Sequence, residues 1–546
     1  MPLTLWSQSR RQIAELSVLC KTWGLLKYYH PEIATGKHDW DSVLIVSVKQ
    51  SLNAKDNAQF VWGVNKMMAI AGKDTAAAYH PVYTLSIHYR NYDPSWIDKN
   101  SLLSPEIKST LKYIAGHPYR GLNYYAQPNP DNDGNVFTPN EKPYAEMLYP
   151  DVYYRLLGLF RYWNVINYFY PYKYAIGKPW EDLLTEMIPL MINATDTLSY
   201  HKALARMAAV INDSHGGLWP QVYLSIAGKY SPAFNFRLVD NKAVVTRLAD
   251  SMHSPVKVGS VIETMDAVSV KQRIKTYWDY IPASNKGGKL KVMHEFIFNS
   301  KVKQAVITGY QPDGRKFKAT IPLKERDLLK DYLDFFEMTS PVTAEMIMDN
   351  IGYVFFSNVN RKNLDSVMAP LMHTKAIVFD MRNYPQNGSG TYHIPDYLLS
   401  KPTIYAHNTS PDFDLPGMMK YEVSNKGTSA EQVGKHNPAP YQGKIILLVD
   451  ERTQSAAEWA CMTLKTAPNV TVIGSQTAGA DGNVTRTVLP GNYKINFSGL
   501  GIYFPDGGET QRIGIPIDIP VRYTISDMMY KNDPLLKKAI EFINNH

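Results

Sequence analysis

The sequence predicts a multidomain α/β protein with a helical N-terminal part, a small β module and a C-terminal α/β core. Three observations predict this architecture. A helical pattern is duplicated in the first part of the chain, short strands follow from Ser231, and strands alternate with helices from Met346. A chain of 546 residues is also too long for one hydrophobic core, so two to four domains are expected.

The N-terminal part contains an internal duplication. The segment LCKTWGLLKYYHPEIATGKHDWDSVL, from Leu19, matches LFRYWNVINYFYPYKYAIGKPWEDLL, from Leu159. Two tryptophans of each copy keep the same offset: Trp23 with Trp163, and Trp40 with Trp180. Each copy predicts an amphipathic helix, a proline-containing turn and two further helices. We place the first copy and a linker in 1–145 and the second in 146–225, and expect both to pack together with their Trp and Tyr side chains as core.

The two copies differ where the helical pattern ends. The second continues as MAAVINDSHGGL, which puts Ser214 and His215 before a Gly-Gly turn, whereas the first has Thr75 opposite His215. A histidine on an accessible turn is a candidate general base, and a structural or merely exposed histidine is the alternative.

The polar stretch between the copies partly matches the start of an EF-hand calcium loop. The matching residues are Asn129, Asp131, Asp133 and Gly134. The twelfth position is Asn140 rather than glutamate, so we interpret the stretch as a turn-rich loop and expect no metal site.

The middle region, which we place at 226–325, predicts a β module. The segments FNFRLVD, KAVVTRL, VKVGSVIETMDAVSV, QAVITGY and FKATIPL have strand patterns separated by turns. The order of these parts looks like a PDZ-like module, a type that captures extended peptides at a sheet edge. The inserted segment ASNKGGKLKVMHEFIFNSK departs from a minimal module and leaves its groove undefined.

The C-terminal region, 326–546, alternates strands and helices. IGYVFF, AIVFDM, IILLVD and VTVIG are strand patterns with helical patterns between them, which predicts a largely parallel sheet. Functional residues are expected in the loops after the carboxyl ends of such strands. Two loops qualify: RNYPQNGSG, which contains Gly388, and the turn that leads to Ser455.

Ser455 is the strongest candidate nucleophile. It lies between the strand IILLVD and a small-residue helix, where a hydroxyl is close to unpaired backbone N–H groups. Acyl-transfer enzymes place serine nucleophiles at such corners because the next N–H can hold an oxyanion. The alternative is structural, because Ser455 and Glu458 also form the pattern of a helix capping box.

The composition and the distribution of charged and apolar residues exclude several other classes of protein. The net charge of +8 comes from 58 basic and 50 acidic residues that are mixed along the chain, so there is no basic stripe for nucleic acid. The two cysteines, Cys20 and Cys461, lie in apolar helical patterns and predict neither disulfides nor a metal site. No apolar run is long enough to predict a membrane span. We expect no cofactor.

The arrangement of motifs resembles the serine peptidase family of the C-terminal-processing and tricorn proteases. From Leu159 to the end, IGYVFF, IVFDMRNYPQNGSG, LVDERTQSAAEWA, VIGSQTAGADG and FPDGGETQRIGIPIDIPV follow the order of that family. The resemblance implies a ClpP/crotonase-like catalytic core, with Ser455 as nucleophile and the N–H groups of Ala456 and Gly388 as the oxyanion hole.

The resemblance also implies a choice of base. Processing peptidases use a lysine in a TFGKG-like turn, and the matching turn TAGADG has Ala480 in that place. The tricorn-like branch uses a Ser-His pair, which Ser214 and His215 match, together with a glutamate, for which Glu509 is the candidate. His215 is therefore expected to be the general base, with Ser214 or Glu509 orienting its ring.

We expect a serine peptidase that hydrolyses peptides or unfolded proteins. The alternative is a non-catalytic protein that binds a peptide or an apolar ligand, because this fold also resembles interphotoreceptor retinoid-binding proteins, and the lysine is missing. Relatives with this layout are usually exported, which implies a periplasmic or cell-surface protein whose leader is absent from this chain. MPLTLWSQSRRQ has no signal-peptide pattern, so a cytoplasmic location is the alternative. The sequence shows no oligomer interface.

Overall fold

The computed structural model describes residues 9–74, 76–79, 89–131, 134–249, 255–329, 340–348, 350–385, 392–421 and 430–545. Thr75 and Asp133, which enter the predictions for the duplication and for the polar loop, lie outside these ranges, as does Gly388.

The N-terminal part is mainly helical, and its first helix shows how the sequence begins such an element. The Ser9 Oγ accepts a hydrogen bond from the Gln12 N–H (3.1 Å), and the Gln12 side chain accepts one from the Ser9 N–H (3.2 Å), which is a complete capping box. The helices are α1 (Arg10–Tyr29), α2 (Pro31–Ala34), α3 (Trp40–Asn53), α4 (Asn57–Ala71), α5 (Trp96–Lys99), α6 (Pro105–Gly116), α7 (Val152–Phe169), α8 (Asp182–Ile192), α9 (Thr197–Ala209) and α10 (Pro220–Ala227). Short strands lie between them: β1 (Tyr89–Arg90), β2 (Gln127–Pro128), β3 (Val136–Phe137) and β4 (Gly217–Leu218).

The duplicated tryptophans form the same reciprocal pair in each copy. The indole N–H of Trp23 donates to the Trp40 carbonyl (3.0 Å) and that of Trp40 donates to the Trp23 carbonyl (3.1 Å). Trp163 and Trp180 repeat this exchange at 3.1 Å and 3.0 Å. All four rings are buried in one core shared by both copies, so the prediction that these aromatic residues are core is confirmed.

The copies meet where α1 crosses α7. A Cβ atom on Gly24 would lie 1.8 Å from the Asn164 Oδ1, so a larger residue at this crossing would displace the Asn164 side chain. The Asn164 Nδ2 donates to the Cys20 carbonyl of α1 (3.1 Å). Close backbone approach and a buried hydrogen bond therefore fix the packing of the two copies.

The middle region is a twisted antiparallel sheet with two helices. The strands follow the order β5, β11, β10, β8, β7, β6, with β9 paired to β8. The elements are β5 (Tyr230–Pro232), β6 (Phe234–Val239), β7 (Lys242–Leu248), β8 (Val261–Met265), β9 (Val268–Ser269), α11 (Val270–Tyr277), α12 (Lys286–Met293), β10 (Gln304–Tyr310) and β11 (Lys316–Glu325). The inserted segment of the sequence forms α12, which packs against the edge strand β6.

The C-terminal region is built on a six-stranded sheet in the order β12, β13, β14, β18, β19, β23. Strands β13 to β23 are parallel and β12 is antiparallel, which confirms the predicted parallel sheet. Its strands are β12 (Ala344–Met348), β13 (Ile351–Phe355), β14 (Ala376–Asp380), β18 (Lys444–Val449), β19 (Val470–Gly474) and β23 (Ile519–Pro520), and its helices are α13 (Leu364–Met368), α14 (Pro395–Leu398), α15 (Ala456–Leu464), α16 (Ile525–Tyr530) and α17 (Pro534–Asn545). Apolar side chains cover both faces of the sheet.

The remaining strands join the C-terminal region to the helical part. They are β15 (Thr403–Pro411), β16 (Met418–Tyr421), β17 (Ala430–Val433), β20 (Val484–Leu489), β21 (Tyr493–Ser498) and β22 (Gly501–Tyr503). Strand β21 pairs with β4, with Ile495 opposite Leu218 and Asn496 opposite Gly217. This register brings the end of β21 to the turn that carries His215. Among the described residues, no helix combines the length and apolarity needed to cross a membrane.

Candidate active site

Ser455 lies in the turn between β18 and α15, and its backbone is held in a strained conformation. Its φ of 53° lies in the left-handed region that L-residues with side chains rarely adopt. The Ser455 N–H donates to the Ala480 carbonyl (3.0 Å) and to the Glu458 Oε2 (3.3 Å), while its own carbonyl accepts from the Trp459 N–H (2.9 Å). These bonds hold a sharp strand-to-helix corner, and the half-buried Ser455 faces a cavity.

The predicted oxyanion hole is described in part. Ala456 is the first residue of α15, so its N–H has no acceptor within the helix, and the residue lines the same cavity as Ser455. Gly388, the second predicted donor, lies outside the described residues.

His215 belongs to a buried chain of hydrogen bonds. Its Nδ1 lies 3.0 Å from the Ser498 Oγ, and that hydroxyl lies 3.0 Å from the Asp213 Oδ1. Asp213 also accepts from the N–H groups of Ser498 (2.6 Å) and His215 (2.9 Å) and from the Gln511 Nε2 (3.2 Å). Four donors therefore converge on this carboxylate.

This chain determines which nitrogen of His215 carries the proton. The Asp213 carboxylate can only accept, so the hydroxyl hydrogen of Ser498 points to Asp213, and the hydroxyl oxygen then accepts from Nδ1–H. The Nε2 of His215 is therefore left unprotonated. It is buried and has no hydrogen-bond partner among the described residues. Such a nitrogen is available to take a proton from a serine hydroxyl.

Burial lowers the pKa of His215, the nearby Asp213 opposes that shift, and Lys291 adds to it. The net direction is downward, so the ring is neutral at neutral pH and is able to act as a base.

The orienting group differs from both sequence-based candidates. The prediction was that Ser214 or Glu509 orients the ring, and the acceptor at Nδ1 is instead Ser498. The Ser214 hydroxyl donates to the Ala478 carbonyl (2.8 Å) and accepts from the Ser284 N–H (2.9 Å), so it ties the His215 turn to two other segments. Glu509 lies beside Tyr174, two residues before Gln511, whose side chain is the one that contacts Asp213.

Contacts also join the segments that carry Ser455 and His215. The Gln454 Nε2 donates to the Ser214 carbonyl (3.1 Å), and the Gln454 Oε1 accepts from the Lys291 Nζ of α12 (2.5 Å). The residue before the candidate nucleophile is thus bonded to the residue before the candidate base. The middle region contributes the lysine that holds this link.

Glu458 stabilises the turn at Ser455. Its buried carboxylate accepts from the N–H groups of Gly479 (2.8 Å) and Ala480 (3.0 Å), in addition to that of Ser455. Burial raises the pKa of Glu458 to about 7, against the lowering effect of these bonds. Ala480 is buried here, whereas Lys494 is exposed on β21.

A cavity of about 890 Å³ opens beside Ser455. Its lining comes from the strands and turns of the C-terminal region and from Gly134. The described residues that line it are Gly134, Tyr384, Tyr392, His393, Asp396, Tyr405, Asn408, Glu431, Gln432, Val433, Gly434, Ser455, Ala456, Trp459, Asp481, Gly482, Asn483, Leu500 and Ile502. A space of this size accommodates several atoms of a peptide side chain and backbone.

Comparison with known proteins identifies one family model and several solved structures that are similar to this chain. Residues 350–521, less than half of the chain, match the family model of Peptidase family S41. Mature CPAF complexed with lactacystin is similar in structure, with a TM-score of 0.54 at 13% identity over 72% of this chain and 99% of that chain. A mutant of CPAF gives 0.57 at 14% identity over 72% and 98% of the two chains.

A curated protein from Chlamydia trachomatis serovar D is 27% identical over 123 residues, which is 21% of this chain. The match spans only 20% of the length of that relative. Taken with the structural similarity, these findings describe a multidomain α/β protein with an S41 peptidase-like fold.

Sequence reasoning missed several residues of the site. Asp213 stands next to Ser214 and His215 in the sequence, so an acidic neighbour was a usable signal. Ser498, Gln511 and Lys291 lie in a strand end, a turn and a short helix far from His215 in the chain, and no local pattern distinguishes them.

Proposed function

We propose that this chain is a serine peptidase in which Ser455 is the nucleophile and His215 is the general base. The observation that carries the proposal is the chain from His215 through Ser498 to Asp213, which leaves Nε2 as a buried acceptor without a partner among the described residues. The match to the S41 family model and the similarity to CPAF support a peptidase function.

In the proposed reaction, the His215 Nε2 takes the proton of the Ser455 hydroxyl as Oγ attacks the carbonyl carbon of the substrate. The imidazolium that forms keeps its Nδ1–H bonded to Ser498, and the negative charge of Asp213 stabilises it. The same proton then passes to the leaving amine as the C–N bond breaks. Water, deprotonated by the neutral ring, hydrolyses the acyl-enzyme and regenerates Ser455.

The oxyanion of each tetrahedral intermediate needs preorganised N–H donors. The Ala456 N–H at the start of α15 supports this role, and the helix dipole adds a favourable partial charge. We propose Gly388 as the second donor, as the family resemblance implies. Loss of one such donor in serine proteases costs about 10²–10³ in kcat.

We propose peptides and unfolded proteins as substrates, with the middle region acting as a PDZ-like module. The contact between Lys291 and Gln454 supports a direct influence of that module on the Ser455 turn. A bound chain in the module would act on the site through α12.

Active-site labelling tests the proposal. A fluorophosphonate probe is expected to label the wild-type protein and to lose its target in Ser455→Ala, and hydrolysis of casein should fall by at least about 10³-fold in Ser455→Ala and His215→Ala. Ser366→Ala, a change of the same chemistry at an exposed position of α13, is the matched control.

Folding of each variant is checked by circular dichroism and a thermal melt. Labelling that persists in Ser455→Ala would show that another residue reacts. If folded wild-type protein takes no label and cleaves no peptide between pH 6 and 9, a ligand-binding protein on this scaffold is the better description.

A further inference from the structure

The cavity beside Ser455 is lined by three carboxylates, one of which, Asp396, lies 3.3 Å from the ring of His393. Asp396, Glu431 and Asp481 line it, and none of the described lining residues is lysine or arginine. Within the described residues, no group of three His, Cys, Asp or Glu side chains is arranged to hold a metal ion. A lining with carboxyl groups and with no described lysine, arginine or metal-type cluster is compatible with an organic cation.

Asp481 is the most telling of the three. It is only 3% exposed, and its Oδ1 accepts from the Gly482 N–H (2.9 Å), but its Oδ2 has no hydrogen-bond partner among the described residues. A buried carboxylate oxygen without a partner is costly, and folded proteins rarely retain one without a role. Asp481 directly follows Ala480, the residue that anchors the Ser455 N–H.

A second acceptor lines the same cavity. Asn408 donates through Nδ2 to the Glu431 carboxylate (3.2 Å), and its buried Oδ1 has no partner among the described residues. In the described part of the chain, Asp481 and Asn408 each have an unpartnered oxygen that calls for a group with N–H donors. A guanidinium is such a group, and an ammonium satisfies fewer of these acceptors in a fixed geometry.

The walls of the cavity can contact both the methylene groups and the planar guanidinium of an arginine side chain. Tyr405 and Trp459 meet edge to face with their ring centres 5.1 Å apart, and both line the cavity. Aromatic faces attract guanidinium and ammonium groups. Leu500 and Ile502 provide apolar surface for methylene groups.

We propose that this cavity is a specificity site for a basic side chain, arginine before lysine, next to the scissile bond of the substrate. The inference rests on the proposed peptidase function and adds its substrate class. Asp481 is the residue that recognises the charge, and Asn408 is its polar partner.

The pKa of Asp481 is expected to depend on whether a cation occupies the cavity. Burial, and then the charge of Glu458, raise the pKa of Asp481 well above its usual range. A cation that enters the cavity reverses part of this effect, because an opposite charge at close range favours the ionised carboxylate. Binding of the cation and ionisation of Asp481 are thus coupled.

Matched fluorogenic peptides that carry arginine, lysine, citrulline or norleucine next to the scissile bond test the proposal. Citrulline keeps the shape of arginine without its charge. Arginine should exceed citrulline by about 100-fold in kcat/KM, since removing one partner of a buried charge pair has an effect of this size. Asp481→Asn should reduce that ratio to below about fivefold, because the amide carries no charge while its oxygen can still accept from the Gly482 N–H.

Glu146→Gln, at an exposed carboxylate of the loop before α7, is the matched control and should keep the full ratio. Arginine and citrulline peptides that the native protein cleaves at rates within threefold of each other would overturn the proposal. That comparison needs no variant, so a folding defect in Asp481→Asn does not weaken it.

Binding of p-aminobenzamidine to the Ser455→Ala protein separates this proposal from the proposed function. Fluorescence titration should show binding that Asp481→Asn weakens by about 100-fold in Ser455→Ala protein. Binding of that kind without any peptide cleavage would end the peptidase proposal and leave the cation site standing. Peptide cleavage with no preference for basic residues would end the cation-site proposal and leave the peptidase proposal standing.

Discussion

Replacing Asp213 by Asn tests the central chain of the site, because it removes a charge and nearly preserves shape. Two hydrogen bonds of 3.0 Å separate the His215 ring from the Asp213 carboxylate, so the imidazolium and the carboxylate are at most about 6 Å apart. At an effective dielectric of about 20, their attraction is about 3 kcal/mol, which corresponds to roughly a hundredfold in rate.

The amide adds a second effect. If its NH₂ group faces Ser498 Oγ, the hydroxyl must donate to His215 Nδ1, and the proton of the ring moves to Nε2, where it blocks the base. If the NH₂ group faces the Ser498 N–H instead, two N–H donors point at each other where the native protein has a 2.6 Å hydrogen bond. We therefore expect kcat/KM to fall by about 10²–10⁴, the upper value being that of an aspartate-to-asparagine change in a serine protease triad.

The pH profile supplies a second readout. Asp213 holds the pKa of His215 up against burial, so its removal lowers that pKa further. The acid limb of kcat/KM should then move to lower pH in the variant. Asp196→Asn, at the exposed cap of α9, is the matched control because Asn is an equally good cap.

A folded Asp213→Asn protein that keeps at least a third of the wild-type kcat/KM, with its acid limb unmoved, would refute this reasoning. Circular dichroism and a urea titration on both variants separate a catalytic loss from a loss of structure.

Three further results are expected. Ser498→Ala should lower kcat/KM by about 10–100-fold without unfolding the protein, and Ser498→Thr should recover part of it, because the hydroxyl links the His215 ring to Asp213. Equal rates in the Ala and Thr variants would contradict this. Gly24→Ala should lower the free energy of unfolding by about 1–3 kcal/mol in urea titrations, because the new Cβ meets the Asn164 side chain. Asn164→Gly should relieve this clash, so the double variant should lose less than the sum of the two single variants. Simple additivity of the two changes would exclude a clash between these residues. Burial raises the pKa of Glu458 to about 7, so the folded state binds this proton more tightly than the unfolded state does, and the free energy of unfolding falls as pH rises from about 4.5 to 7. Glu458→Gln should reduce this fall by about 1–3 kcal/mol in urea titrations. A fall as steep as that of the wild type would contradict the raised pKa.

The features that sequence predicts here are local. The Ser455 corner follows from an apolar run, a turn and a small-residue helix, and the parallel sheet follows from the alternation of strand and helix patterns. The duplicated tryptophans were recognisable because their spacing is the same in both copies. In each case the evidence lies within one or two elements.

The orienting chain is a different kind of feature. Ser498 reaches His215 only because β21 pairs with β4, and pairing between strands so far apart in sequence has no local signature. The contact of Gln511 with Asp213 has no local signature either. A glutamate matches the expected chemistry, but the turn after β22 directs Gln511 to Asp213.

The pairing of β4 with β21 also affects how the chain becomes active as it is synthesised. His215 is made before the middle region, but its partner strand β21 is made only after that region and after β12 to β20. Until then, the imidazole has no Ser498 to fix its tautomer, and Ser455 has only part of its surroundings. Under the proposed mechanism, an unfinished polypeptide cannot hydrolyse peptides, and neither can a fragment limited to residues 350–521, which contains Ser455 but not His215.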